Sequence, residues 1–476
     1  MSTIEKNKSL AVSMVWKLLE RASVQIITLA TQIVLARIIA PERFGSLSLI
    51  VVFYNIADLL VQKGFGSSLI RKKDIKQEDI DSVTVVSSLV AVLSFVVIMI
   101  CAPLVGWFYH DDSIVNPLRV LSVNLLISPI YCVYNSILIR NMKFKTIFYR
   151  GLAASIISGV IGITLALMGG EVWALVAQMI ANQIVITIMM VKAEKVTIRF
   201  RFNKQAFKEV FSFGKNVLLT ELLLTLVENL RTILIGKKYS TSDLAYYDRG
   251  QIYPATLMRA INDTLFSTLL PHLSKCQDNI NEIKRQFTRL VYISCVVIMP
   301  IFIGLASISN EVILILLTDK WSSAVIYMQI FCLYQALFPY QIVSKAALYA
   351  IGVSERVLRL EIIKAVFSLC LMVVSLYFGV VYVAISLIIV RLFSDVLYIL
   401  SVEKSIGKTH IFINTLKPIC ASIIMFGLNY IVGICKLPIC LSLTIKLLLG
   451  ISSYVIVMSV LDIKMAKSIL SRIRRK

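Results

Sequence analysis

The chain has 476 residues, 58% of them hydrophobic and 16% charged, with a mean hydropathy of +0.84; one aqueous core cannot hide that much apolar surface, so an ordinary soluble domain is excluded and lipid is the implied solvent. The formal net charge of +22 would suit nucleic acid, but the charge sits in alternate loops between apolar segments, which is the signature of orientation in a membrane and attraction to anionic lipid. Nine cysteines without a CxxC pair and only three histidines argue against a metal or redox site, and no cofactor is implied.

In chain order, about fourteen apolar segments appear, each close to the length a helix needs to cross the hydrocarbon. They lie at 11–39, 45–66, 82–107, 117–139, 148–169, 172–192, 212–236, 250–272, 288–308, 324–350, 357–377, 380–401, 413–434 and 438–461. Hydrocarbon offers backbone groups no partner, and these runs are too long and too continuously apolar for barrel strands, so they are read as helices. The first begins after a short polar head and outruns a signal-peptide core, so it is expected to remain in the chain.

Basic residues gather after even-numbered spans: Arg71, Lys72, Lys73 and Lys76, then Arg140, Lys143, Lys145 and Arg150, then Lys192, Lys195, Arg199, Arg201, Lys204 and Lys208. Lys275, Lys284, Arg285 and Arg289 follow, then Arg356, Lys404 and Lys408, and the basic tail at 464–476. The opposite loops at 109–116, 169–171 and 378–381 hold none. Positive charge stays inside, so both termini are expected in the cytoplasm.

The chain also repeats itself. LARIIAPERFGSLSLI at 35–50 is echoed by LIGKKYSTSDLAYYDR, displaced by 200 residues, and 64–70 continues the register opposite 264–270. SPIYCVYNSIL around Pro129 faces FPYQIVSKAAL around Pro339 at a displacement of 210. An even number of spans separates the copies, so they share one orientation. The expected architecture is all-α and polytopic: a six-helix lobe at 1–196, a second at 197–405 in a parallel pseudo-two-fold relation, and a C-terminal helix pair with a basic tail at 406–476.

Polar side chains enter the apolar segments in stripes. Arg21, Gln25, Thr28 and Gln32 recur at steps of four, three and four on the first span, and Glu221, Thr225, Glu228 and Thr232, with Arg231 beside them, repeat those positions on the seventh. The second span adds Asn55, Asp58 and Gln62 with Lys63 alongside, and the eighth adds Arg259, Asn262 and Asp263. Lys345 stands in the tenth span without an obvious local acid, and Arg391 and Asp395 have the spacing of a pair within one helix. Ionisable groups at membrane depth cost several kcal/mol, so they face a cavity or one another. Matched stripes on related helices are expected to line a polar, partly cationic cleft. Arg21 also reads as an anchor at the cytoplasmic end of its helix.

LARIIAPERFGSLSLI followed by GFGSSLIRKKDI, SILIRNMKFKTI, LIGKKYSTSDLAYYDRGQIYP, LLPHLSK and TDKWSSAVIYMQI resembles the polysaccharide-transport branch of the multidrug/oligosaccharidyl-lipid/polysaccharide (MOP) exporter superfamily. Within it, the likeness is to Wzx-type flippases of the colanic-acid-exporter kind and to teichuronic-acid exporters, over about residues 10–405. The resemblance implies a MATE-like fold in a bacterial cytoplasmic membrane. It also implies movement of undecaprenyl-diphosphate-linked oligosaccharides to the outer leaflet for surface polysaccharide, by alternating access of the two lobes, with a polysaccharide polymerase as possible partner. Tyr239 and Ala245 replace glycines usual in the second-lobe motif, which puts close helix approach there in question.

On this reading Arg21, Arg231, Arg259 and Lys345 meet the diphosphate, Gln25, Asn55, Gln62, Asn262 and Gln341 meet sugar hydroxyls, and Asp58, Glu221, Glu228 and Asp263 bind a driving H⁺ or Na⁺. The competing readings are a drug or metabolite cation antiporter, which needs an acidic, aromatic pocket, and a lipid II flippase, both of the same superfamily. A membrane-bound polymerase or glycosyltransferase fits less well, since the sequence shows neither a Gly-rich phosphate loop nor a Ser/His/Asp arrangement.

Overall fold

In hydrocarbon each backbone N–H and C=O must be satisfied within its own segment, and every apolar segment read above folds as helix in the computed structural model. The structure describes residues 3–72, 75–194, 196–276, 279–435 and 437–462. Lys73, Lys195 and the basic tail at 464–476 lie outside the described residues, as do the side chains of Lys63, Arg71 and Asp263.

The first half of the chain runs α1 (Thr3–Ile38), α2 (Pro41–Arg71), α3 (Gln77–Tyr109), α4 (Val115–Ser122), α5 (Asn124–Arg140), α6 (Phe144–Leu167) and α7 (Glu171–Ala193). The second runs α8 (Lys204–Lys238), α9 (Thr241–Ser274), α10 (Ile280–Ser307), α11 (Ser309–Leu317), α12 (Ala324–Ala336), α13 (Phe338–Ala350), α14 (Ser354–Ser375) and α15 (Val380–Ile406). A last pair follows, α16 (Ile411–Ile434) and α17 (Ile439–Leu461). The starts of α2 and α9 are 200 residues apart and those of α6 and α14 are 210 apart, which reproduces both displacements of the sequence repeat.

Nine helical stretches among the described residues are long and apolar enough to cross a membrane. Others, such as α14 with Arg359, Glu361 and Lys364, carry the charge that the polar stripes require. On α3 the side chains of Leu89, Leu93, Ile100 and Trp107 point outward, each more than 60% exposed. A stripe of that size needs lipid around it.

The two helix breaks have different causes. The chain kinks at Val123 between α4 and α5, and at Leu337 between α12 and α13. Pro129 lies inside α5 and has no N–H for the carbonyl of Leu125, whereas Pro339 sits in the first turn of α13, where no such bond is made. Of these two prolines, only Pro129 lies in a helix interior.

Contacts divide the chain into two units, Met1–Leu244 and Ala245–Lys476. In the first, α6 packs against α1 and α7, and α2 packs against α3, α5 and α8. Gly45 on α2 lies so near Thr241 that a Cβ there would stand 1.8 Å from the Thr241 carbonyl oxygen, and Ala245, its counterpart in the repeat, is itself buried. In the second unit α10 packs against α12, α13 and α16, α15 against α13 and α14, and α11 against α17. Its core centres on Phe287, Val291, Cys295, Tyr398 and Val402.

Candidate functional site

In the first unit a cavity of about 450 Å³ opens among α1, α2, α5, α6 and α7. Five amides line it: Gln32 from α1, Asn124 from the kink at the head of α5, and Gln178, Asn182 and Gln183 from α7. Such groups donate and accept at once, as neighbours of water or sugar hydroxyls must. Glu20, Asp58 and Arg150 supply its charge.

Asp58 accepts hydrogen bonds from Ser128 Oγ on α5 at 2.5 Å and from Gln62 Nε2, one turn along α2, at 2.6 Å, so two helices fix its carboxylate. Arg150 is almost fully buried. Its Nη2 donates to Asn135 Oδ1 at 2.8 Å, Nη1 lies 2.6 Å from Met190 Sδ, and its guanidinium stands 5.9 Å from the Tyr131 ring centroid. Two carboxylates against one guanidinium leave this lining net acidic. Arg21 stays outside the cavity while Glu20, its neighbour, turns in.

In the second unit the polar groups form a cluster around Glu361 of α14. Its Oε1 accepts from Tyr398 Oη at 2.8 Å, Lys345 Nζ at 3.2 Å and Gln341 Nε2 at 3.4 Å, and Lys364 Nζ stands 3.5 Å from Oε2. Gln341 in turn accepts from Arg391. Arg391 is 2% exposed, lies over the rings of Phe338 and Tyr334 at 4.5 and 5.0 Å, and pairs with Asp395 at 3.9 Å. Lys345, Lys364 and Arg391 outnumber Glu361 and Asp395, so this cluster is net basic. Lys345 and Glu361 keep about a third of their side-chain surface exposed, and the cluster is therefore reachable.

The two sites occupy equivalent places in the repeat with their charges exchanged. At a displacement of 210 residues, Asn135 corresponds to Lys345 and Tyr131 to Gln341, while Arg150 falls one residue from the position matching Glu361. In both units a charged residue on the helix after the kinked pair (Arg150 on α6, Glu361 on α14) is held by two side chains of the preceding helix. Asn182 and Arg391 both stand twelfth in their helices, α7 and α15.

The structure brings some of the sequence candidates together and leaves others apart. Asp58 and Gln62 are bonded to one another, and Asp58 lines the acidic cavity. Lys345 and Gln341 belong to the basic cluster, where Glu361, sixteen residues on, is the acid that local spacing did not reveal. Arg21, Gln25 and Asn55 are exposed and outside the cavity; the face of α1 that lines it runs Glu20, Val24, Thr28 and Gln32. Glu221 and Arg231 are half-buried on α8 and Glu228 is exposed. Asn262 is half-buried on α9, while Arg259 is exposed and bonds back to the Ala255 carbonyl at 3.3 Å. The side chain of Asp263 lies outside the described residues. Sequence reasoning missed Arg150, which it placed in a basic loop, and Glu361, which lies near the start of its span.

A helical repeat that carries one acidic and one basic polar site within lipid-facing walls defines a polytopic membrane protein of transporter fold. A lipid II flippase, MurJ, in an inward closed conformation superposes with a TM-score of 0.74 at 15% identity, covering 96% of this chain and 100% of that one. An inward-facing multidrug resistance MATE family transporter of the MOP superfamily gives 0.61 at 16% identity, covering 81% and 94%. At such identities the likeness concerns the fold. The family follows from sequence: residues 34–326 match the model of the polysaccharide biosynthesis protein family, and the chain belongs to it. The teichuronic acid biosynthesis protein TuaB of Bacillus subtilis (strain 168) is 25% identical over 271 residues, 56% of this chain and 56% of that protein, so the match spans little more than half of the relative's length.

Proposed function

We propose that the chain is a flippase that moves undecaprenyl-diphosphate-linked oligosaccharide units across the bacterial cytoplasmic membrane for surface polysaccharide synthesis, with both termini in the cytoplasm. The observation that carries this reading is the exchange of charge between two equivalent polar sites in a chain of this family. A lipid-linked diphosphate needs cations to receive its headgroup, and amide-lined walls suit sugars. A transporter that works against a gradient also needs an acidic site for the driving ion.

On this proposal Lys345 receives the diphosphate with Lys364, and Gln341 contacts the glycan. Arg21, Arg231 and Arg259 contact the anion elsewhere on its route, as Gln25, Asn55, Gln62 and Asn262 do the glycan. Asp58 binds the coupling H⁺ or Na⁺, with Glu221, Glu228 and Asp263 as further acids on the polar stripes. TuaB, named for teichuronic acid biosynthesis, supports a surface-glycan substrate.

The test is export of surface polysaccharide in cells whose own copy is deleted. Lys345→Ala and Arg231→Ala should abolish export at normal membrane levels. Asp58→Asn should block transport while leaving binding of the lipid-linked glycan intact. Unchanged export in both cation variants removes the proposed anion path.

A further inference from the structure

A second cavity, of about 680 Å³, lies where the starts of α10 and α16 meet the end of α17. Its wall carries Lys284, Arg285 and Arg289 from the first three turns of α10 and Lys417 from the second turn of α16, against a single carboxylate, Asp462. Asp462 is already engaged, since it accepts from the Tyr292 hydroxyl and stands 3.9 Å from Lys417 Nζ. Arg285 is held by Glu282 at 2.8 Å. The uncompensated charge therefore rests on Lys284 and Arg289, neither of which makes an ion pair among the described residues.

Cations gathered on one cavity wall repel one another. An anion in the cavity relieves that repulsion. Just beyond the basic rim the same helices turn Ile293, Val297, Leu416 and Val460 outward, all well exposed. A head that is anionic and a tail that is apolar match these two surfaces in turn. This combination, basic cavity and adjoining oily wall at the ends of spanning helices, is the setting in which anionic lipid headgroups are held.

We infer that this cavity binds an anionic phospholipid, with its phosphate among Lys284, Arg289 and Lys417 and its acyl chains against the outward faces of α10, α16 and α17. The bound lipid bridges α10 to the C-terminal helix pair, and by mass action it stabilises the folded chain. This site is separate from the two polar sites above, and its test does not require transport.

Native mass spectrometry of the purified full-length chain in neutral detergent measures it, titrating phosphatidylglycerol against phosphatidylcholine of the same acyl composition. The wild type should retain phosphatidylglycerol at least tenfold better than phosphatidylcholine. Combined Lys284→Gln, Arg289→Gln and Lys417→Gln should lower that retention at least tenfold, while the charge-keeping Lys417→Arg leaves it unchanged. Should the triple variant not fold, Arg289→Gln, at an exposed position, should alone lower retention at least threefold. Equal retention of the two lipids, or undiminished retention in these variants, overturns the inference. Displacement by millimolar inorganic phosphate assigns the cavity to a soluble anion, and displacement by equimolar polyprenyl phosphate assigns it to the transported lipid; either result also overturns it.

Discussion

Removing Lys446 tests how the C-terminal helix pair is attached to the rest of the second unit. Lys446 on α17 donates to Glu311 Oε1 on α11, and Ser442 Oγ donates to the same oxygen at 2.8 Å. The two charged side chains are only 6% and 4% exposed, and among the described residues no hydrogen bond reaches Glu311 Oε2. Lys446→Met leaves a buried carboxylate with one neutral donor, and breaking a buried pair from one side costs about 3–5 kcal/mol. For a unit of this size that corresponds to a loss of roughly 6–20 °C in Tm, at about 2–4 °C per kcal/mol. Replacing both members, Glu311→Leu with Lys446→Met, removes the stranded charge and should recover most of the loss, because a buried pair barely outweighs its own desolvation. Thermal unfolding in detergent, followed by intrinsic fluorescence, measures all four proteins of the cycle. A Lys446→Met protein that melts within about 2 °C of wild type, or a double variant that melts lower than both singles, refutes the reasoning.

Three further outcomes are expected. A Cβ at Gly250 would lie 2.5 Å from Tyr327 Cβ and 2.7 Å from the Met328 backbone nitrogen, so Gly250→Ala should destabilise by about 1–3 kcal/mol, whereas Gly427→Ala, on an open stretch of α16 with nothing within 4 Å, should stabilise by about 0.5–1 kcal/mol; comparison of their melting temperatures checks both. Glu361→Gln removes the acid that holds Lys345 and Lys364, and it should tighten binding of a diphosphate headgroup while lowering turnover, read by equilibrium binding and export together. Cys435, at the end of α16, and Cys440, in the first turn of α17, are free and exposed, so a membrane-impermeant maleimide should label them in intact cells of the proposed orientation and Cys276 only after permeabilisation; the reverse pattern inverts the topology.

The sequence by itself determined the class and the helices. Composition, positive charge in alternate loops and runs of apolar residues depend on the solvent and on backbone hydrogen bonding, which act locally, and so each segment could be placed from its own residues. The repeat was legible for a similar reason: related helices keep their spacing, and displacements of 200 and 210 reappear in the starts of α2 and α9 and of α6 and α14. Asp58, Gln62, Gln341 and Lys345 were found because a polar residue in an apolar run stands out.

Only the tertiary structure decided which of these groups meet. A difference of one residue on α1, 100° around the helix, separates Glu20 in the cavity from Arg21 outside it, and a stripe at steps of three and four cannot resolve that angle. Arg150 looked like a loop cation until folding buried it against Asn135 and Tyr131, and Glu361 acquired its role from donors on α13, α14 and α15. Pairing across helices depends on how neighbouring helices are rotated and packed, which no single segment encodes, and for that reason the exchange of charge between the two polar sites became visible only in three dimensions.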